Sequence, residues 1–304
     1  FYRPAALVRM QAGVSKQGLI ETWAVRRVGP NIMGHMIDEW FEVLAPDYLN
    51  KGFADWLSKL GHPIFKRFIA DPSNGDGIYG DYDTPNKAVR HVTQDPGLRT
   101  GFWRSVGHSS NAFFKESFID ELAQSVGIDE LQFRLANMKN NPRLTQATEM
   151  VAAKAGWGKA LPEGHFHGLA THSSFGSAVA QIAEVSIQGA KIIVHKVTAA
   201  IHCGMVVNPG IVRDQVEGGI IYGLTAALYG EITLLDGVIQ QTNFHNYPML
   251  RMADAPEVEV HIVESQEHPE GVGEPGLPPL APAVANAVFK ASGQRLRDLP
   301  LRLS

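Results

Sequence analysis

The chain opens with the apolar–polar pattern of two strands, over residues 5–11 and 19–26, with the polar run GVSKQG as the turn between them. From residue 31 to 60 the spacing becomes helical. Ile32, Met36 and Trp40 form one stripe, and beyond Pro46 a second is formed by Leu49, Phe53, Trp56 and Leu60. The stretch PSNGDGIYGDYDTPN, residues 72–86, is dense in turn formers and predicts a long loop before a short strand at 88–93. A helix follows in which Phe114, Phe118, Leu122 and Val126 share a face. Ser109 or Ser110 is its expected cap and Gly127 its expected stop. Helices near 129–138 and 142–155 end this first region.

Past Gly158 the pattern turns to strands at 167–173, 179–187 and 191–202, the last two joined as a hairpin by the turn QGA. Asn208 and Pro209 form a cap and first turn for a helix running to about Tyr229. A second hairpin, EITLLDGVIQQ, turns at Asp236-Gly237. A strand at 258–264, a proline-rich loop and a helix at about 283–292 complete the pattern. Strands and helices mix without regular βαβ alternation, so the expected class is α+β, divided at residues 1–157 and 158–304. No internal repeat is present.

With 304 residues, 44% hydrophobic and 19% charged, the chain is long enough for one large or two medium cores. A net charge of −4, without a dense Lys/Arg run, argues against a nucleic-acid footprint. No apolar run reaches the roughly 20 residues that span a bilayer. The start FYRPAALVRM, with a strand already running at residue 7, suggests a piece of something longer. Cys203 is the single cysteine, which excludes disulfides, cysteine-ligated zinc and a self-contained iron–sulfur cluster. An electron-carrying cluster would belong to a partner.

The loop EGVGEPGLPPLAPA, residues 270–283, sets Glu274 among Gly, Val, Leu, Ala and four prolines. Gly271, Gly273 and Gly276 spell GxGxxG, but Pro275 and the prolines after it exclude the helix start that a dinucleotide fold needs. As a rigid mount the loop makes better sense. Glu274 precedes proline and is biased to extended backbone, while Gly273 lets another group approach its main chain. Desolvation there would push the carboxyl pKa upward, the condition for a general base near neutrality. A glutamate that caps the next helix or pairs with an arginine is the other reading.

Gln215, Gly219 and Gly223 recur at four-residue spacing in the helix from 209, with Gly218 adjacent. Each interior glycine costs about 1 kcal/mol against alanine, so this strip expects a close neighbour. That neighbour is either another backbone or a planar cofactor addressed by the Gln215 amide. In TGFWRSVGH, Arg104 stands beside two aromatics and two glycines, ready for an anion or oxo group or for a structural salt bridge. His165, His167 and His172 complete no zinc spacing and read as solvated or core-satisfied. Ser174 and Ser177, in HSSFGSA, lack the GxSxG elbow, and Cys203 reads as a small buried residue at a strand end.

Three separated blocks, TGFWRSVGHSSNAFFKESFIDELAQSVGIDELQFRLANM, HCGMVVNPGIVRDQVEGGIIYGL and GVGEPGLPPLAPAVANAVF, together resemble the molybdenum-cofactor subunit of the xanthine dehydrogenase and aldehyde oxidase family. The nearest likeness is to large (beta) subunits of isoquinoline 1-oxidoreductase type, over essentially the whole chain. The resemblance implies that Glu274 matches the family's catalytic glutamate, which takes a proton as a water-derived oxygen attacks an electron-poor carbon. By the same match, Gln215 hydrogen-bonds the pterin, and Arg104 lies beside the molybdenum ligands with Phe102 and Trp103 in the same turn. Gly273 joins them on the cofactor face. The cofactor's dithiolene holds the metal, in keeping with a chain that has one cysteine.

The family also implies a molybdopterin, expected in its cytosine dinucleotide form, and oxidation of an aldehyde or N-heteroaromatic substrate with water as oxygen source. Expected partners are an N-terminal part of the same subunit, a small subunit with two [2Fe–2S] clusters and a cytochrome c subunit as further acceptor. Two departures stand out. Val106 occupies the place of the phenylalanine that stacks on the heterocycle in xanthine-type enzymes, and the MGQG-type cofactor segment is absent. The compartment is left open between periplasm and cytoplasm. An assembly module without catalysis is the competing class.

Overall fold

The computed structural model describes residues 2–36, 52, 56, 71–94 and 97–303. Strands β1 (Leu7–Val14), β2 (Ile20–Gly29) and β3 (Asn86–Thr93) form a sheet in that order, β1 antiparallel and β3 parallel to β2. Residues 32–36 are helical, as expected; Trp40, Leu49, Phe53 and Leu60 lie outside the described residues. On the exposed face of this sheet, Arg9 pairs with Arg26 and Arg26 with Arg90, so three arginines stand in one row across three strands. The other strand residues described on that face are Leu7, Gln11, Gly13, Thr22, Ala24, Val28, Asn86, Ala88 and Val92, none of them acidic. The opposite face packs Trp23 and Val25 on Ile119 and Leu122 of helix α1 (Val106–Ser125).

The second sheet contains β4 (Phe166–Ser174), β5 (Ser177–Gln188), β6 (Lys191–His202) and β9 (Glu257–Ile262), the last parallel to β6. Helices α4 (Pro209–Leu228) and α5 (Leu280–Ser292) cover one face of it, where Val216, Ile220, Val284 and Val288 join the core with Val179 and Val197. Helix α3 (Pro142–Ala155) covers the other face with Ala147 and Val151 against Leu169 and Ile182. Cover on both sides explains why β5 reads SAVAQIAEVS, almost continuously buried rather than alternating. The short hairpin β7 (Leu234–Leu235) and β8 (Val238–Ile239) turns at Asp236-Gly237, both with positive φ. Mixed sheets and packed helices place the chain in the expected α+β class.

The departures from the sequence pattern are local. α1 starts at Val106, and the hydroxyls of Ser109 and Ser110 donate to Val106 O (3.0 Å) and Gly107 O (3.3 Å) inside the helix instead of capping it. α5 starts at Leu280 rather than 283, because Pro282 is tolerated in a first turn. α1 is also buried on more than its apolar face: Asn111, Lys115, Glu116 and Asp120 all lie inside. Arg134 of helix α2 (Glu130–Ala136) donates to Glu116 Oε2 at 3.0 Å, and Tyr82 donates to Oε1 at 2.7 Å. Arg295 pairs with Asp120 at 2.7 Å, so this ionic network ties the end of the chain to the middle of α1.

Candidate active site

The proline-rich loop is fixed at successive points. Glu270 N donates to Cys203 O (3.0 Å), Gly271 N to Phe175 O (3.1 Å), and Ser177 Oγ to Gly271 O (2.7 Å). Further on, Gln181 Nε2, from the middle of β5, donates to Gly276 O at 2.6 Å. Residues 275–280 are all buried, so Glu274 is the last partly exposed position before the chain enters the core. Gly276 is needed there, because an added Cβ would lie 2.8 Å from Val216 Cα of α4. Gly219 and Gly223 face this same descent, against Gly276–Leu277 and Leu280. Of the two neighbours expected for the glycine strip, the structure gives Gly219 a backbone and Gly223 the leucine side chains of the same loop, while Gly218 faces open space.

The turn before α1 reaches this loop across 169 residues of sequence. Arg104 Nε donates to Gly273 O at 3.0 Å, and its Nη2 contacts the same oxygen and Gln215 O at 3.3 Å. Gln215 Oε1 lies 3.4 Å from Nη2. Ser105 Oγ donates to Glu274 O at 2.9 Å, a carbonyl that also accepts from Leu277 N at 3.1 Å. Both reach the loop because Ser105 and Val106 have φ of 71° and 49°, left-handed conformations that cost side-chain-bearing residues roughly 1–2 kcal/mol each. Trp103 turns the other way, 4.9 Å from the Tyr222 ring on the exposed side of α4, with Arg3 over its face at 4.2 Å.

The arrangement thus clasps Arg104, Gln215, Gly273 and Glu274 together. The Glu274 carboxylate accepts no hydrogen bond and makes no ion pair among the described residues, and α5 has no side-chain cap, so Glu274 neither caps the helix nor pairs with an arginine. The Gln215 amide nitrogen and Arg104 Nη1 likewise make no hydrogen bond among the described residues. Gln215 and Gly273 are exposed there, and Phe102, two residues before Arg104, is exposed as well. A carboxylate and an amide without partners among the described residues, beside open glycines on one rim, fit a polar planar group such as a pterin, which Gln215, Gly273 and Arg104 could hold.

Two contributors escaped the sequence reading. Ser105 carries no signal, since its role depends on a backbone conformation; Gln181 carries one, a lone polar residue in the apolar run VAQIA. Of the histidines, His165 Nδ1 lies 2.6 Å from Glu184 Oε1 and His167 3.9 Å from Oε2, while His172 is fully buried between His108 and Lys115. Cys203 is buried at the end of β6, and burial pushes its thiol pKa up.

Residues 114–256 match the model of a molybdopterin cofactor-binding domain. The chain is 35% identical over 253 residues to isoquinoline 1-oxidoreductase subunit beta of Brevundimonas diminuta, a match covering 81% of this chain and 32% of that protein. It is 32% identical to the membrane-bound aldehyde dehydrogenase [pyrroloquinoline-quinone] of Gluconacetobacter polyoxogenes, covering 86% and 35%. The chain thus spans about a third of the length of these relatives. Among solved structures, quinoline 2-oxidoreductase of Pseudomonas putida 86 superposes with a TM-score of 0.72 at 12% identity, over 97% of this chain and 60% of that one. On these grounds the chain belongs to the molybdenum-cofactor-binding subunits of the xanthine dehydrogenase family.

Proposed function

We propose that this chain supplies the catalytic base and one face of the cofactor site of a molybdenum hydroxylase that oxidises an aldehyde or N-heteroaromatic compound with water as oxygen source. The observation that carries this reading is the Glu274 carboxylate, without a partner among the described residues while its own backbone is gripped by Ser105 and, through Gly273, by Arg104. A base must take and release a proton at its Oε atoms without losing its place, and a cation paired with it there would stabilise the carboxylate and weaken it as a base. Gln215 offers its free amide to the pterin edge, and Gly273 keeps that approach open. Arg104, with Nη1 unengaged, holds positive charge at the rim beside the base. The molybdopterin, proposed in its cytosine dinucleotide form, supplies the two-electron redox chemistry when bound.

The proposed partners are the rest of the molybdenum subunit, a small subunit with two [2Fe–2S] clusters and a cytochrome c acceptor. Val106, where xanthine-type enzymes carry a stacking phenylalanine, favours substrates other than purines. Glu274→Gln in the assembled enzyme tests the reading. Molybdenum and pterin content stay within about twofold of wild type, while turnover falls by at least about 100-fold, the contribution of a general base. Full turnover in that variant removes the role. An assembly with neither molybdenum nor pterin points instead to a scaffold, and a quinone in the extract points to the chemistry named for the Gluconacetobacter relative.

A further inference from the structure

Outside the clasp, a line of buried polar side chains ends in the first turn of α1. Lys115 Nζ is paired with Asp81 and also lies 3.0 Å from His172 Nδ1; His172 Nε2 lies 2.9 Å from His108 Nδ1. Asp81 Oδ2 is 3.6 Å from His172 Nδ1 and accepts from Ser173 N at 3.3 Å. Lys115 and His172 are 1% and 0% exposed, too little for water to substitute for any partner. An ammonium only donates, so His172 Nδ1 accepts and its proton sits on Nε2, where it donates to His108 Nδ1. Both rings are neutral: burial first and Lys115 second push His108 down to about 4 and His172 well below its ordinary value. The line therefore has one direction, from the Asp81–Lys115 pair through His172 to His108.

His108 stands two residues after the left-handed Val106. Two consecutive residues of that kind persist only where the surroundings over-determine them. Some restraint comes from the loop before the turn, since Gly107 lies so close to it that an added Cβ would strike the Ser73 carbonyl, and Asn111 donates to Asn74 O (3.1 Å) and Asp76 O (2.7 Å). The imidazole line ties the same turn to β4, and Gly77 closes over it, because an added Cβ would strike both rings.

We propose that His108 and His172 are positioning residues whose hydrogen bond holds the Ser105–Val106 turn, and with it the reach of Arg104 and Ser105 to the Gly273–Glu274 backbone. In its consequence for turnover the inference rests on the enzyme reading; in its structural half it does not. Atom placement gives the test. Asn at 108 puts Oδ1 near the place of Nδ1 and keeps an acceptor for His172, whereas Gln puts its polar atoms near Nε2 and Leu has none. Gln is the better helix former, so a general effect on the helix orders the variants Gln above Asn, and the imidazole line orders them Asn above Gln.

Hydrogen–deuterium exchange of amides 103–110 in the full chain is the first readout. We expect rates about tenfold faster in His108→Leu and His108→Gln, with His108→Asn within about threefold of wild type. In the assembled enzyme, the Leu and Gln variants lose about tenfold or more in kcat at near-constant KM and unchanged molybdenum content, and Asn recovers most of it. Equal exchange in Asn and Gln, or Gln slower than Asn, overturns the proposal, and should Leu fail to fold that comparison alone decides. Altered exchange with unaltered kcat in an active enzyme overturns it too. The expected exchange in an assembly that never turns over supports the hold on the turn and sinks the enzyme reading.

Discussion

Arg104 is the residue on which the two halves of the site meet. Its side chain pairs with no carboxylate among the described residues; it donates to main-chain oxygens of Gly273 and Gln215, so its planar fork sets a distance between loop and helix. A lysine carries the same charge but cannot hold two carbonyls in one plane. Arg104→Lys is therefore expected to retain the fold and lose at least about tenfold in kcat, measured beside molybdenum content and a thermal midpoint within a few degrees of wild type. At this scale the sequence named residues that the fold brings together: a carboxylate before proline, an amide on a glycine strip, an arginine beside two aromatics. It was silent on Ser105, whose contribution comes from a φ of 71° that no composition encodes.

Elements were legible where one periodicity ruled. β5 and β6, the turn at residues 188–190 and the Asn208 cap, which accepts from Gly210 N at 3.0 Å, follow directly from pattern and turn chemistry. The start of α1 was not legible, since a strained turn begins it in place of a capping side chain. Nor was its buried polar face, because Lys115, Glu116 and Asp120 resemble a solvated helix surface until their partners arrive from distant segments. α4 offers a clean contrast between adjacent glycines. Gly218→Ala meets nothing within 4 Å and should stabilise the cofactor-free protein by about 1 kcal/mol through helix propensity. Gly219→Ala would place Cβ 3.2 Å from Gly276 C and 3.3 Å from Leu277 N, so any propensity gain is offset as the loop is pushed from the helix. Denaturant midpoints of the two variants should move in opposite directions or differ by at least that amount.

For the molecule as a whole, titration is dominated by histidines held neutral. Burial is the leading cause of lowered pKa values at His91, His108, His167, His172, His195 and His202. Unfolded histidines take up protons near pH 6.5, while folded His108 does so only near about 4. Between those values the unfolded state binds more protons, so stability is full above about pH 7 and declines as pH falls. Among the described residues, Asp76 and Asp120, whose carboxyls burial pushes upward, act in the opposite sense and are outnumbered by these histidines. Thermal midpoints at pH 7.5, 6 and 5 should fall in that order, and a constant midpoint would contradict the assignment of neutral, buried rings.

The arginine row on the first sheet bears on how copies of the chain meet in solution. Arg9, Arg26 and Arg90 have no acid beside them on that face among the described residues, so two copies approaching face to face there would set six guanidinium groups against one another. Self-assembly through that surface is disfavoured at low ionic strength and eased by added salt, which screens such repulsion over about 8–10 Å at physiological concentrations. A homodimer of this chain should accordingly use another face, and dilution of salt should keep the arginine face free of its own kind.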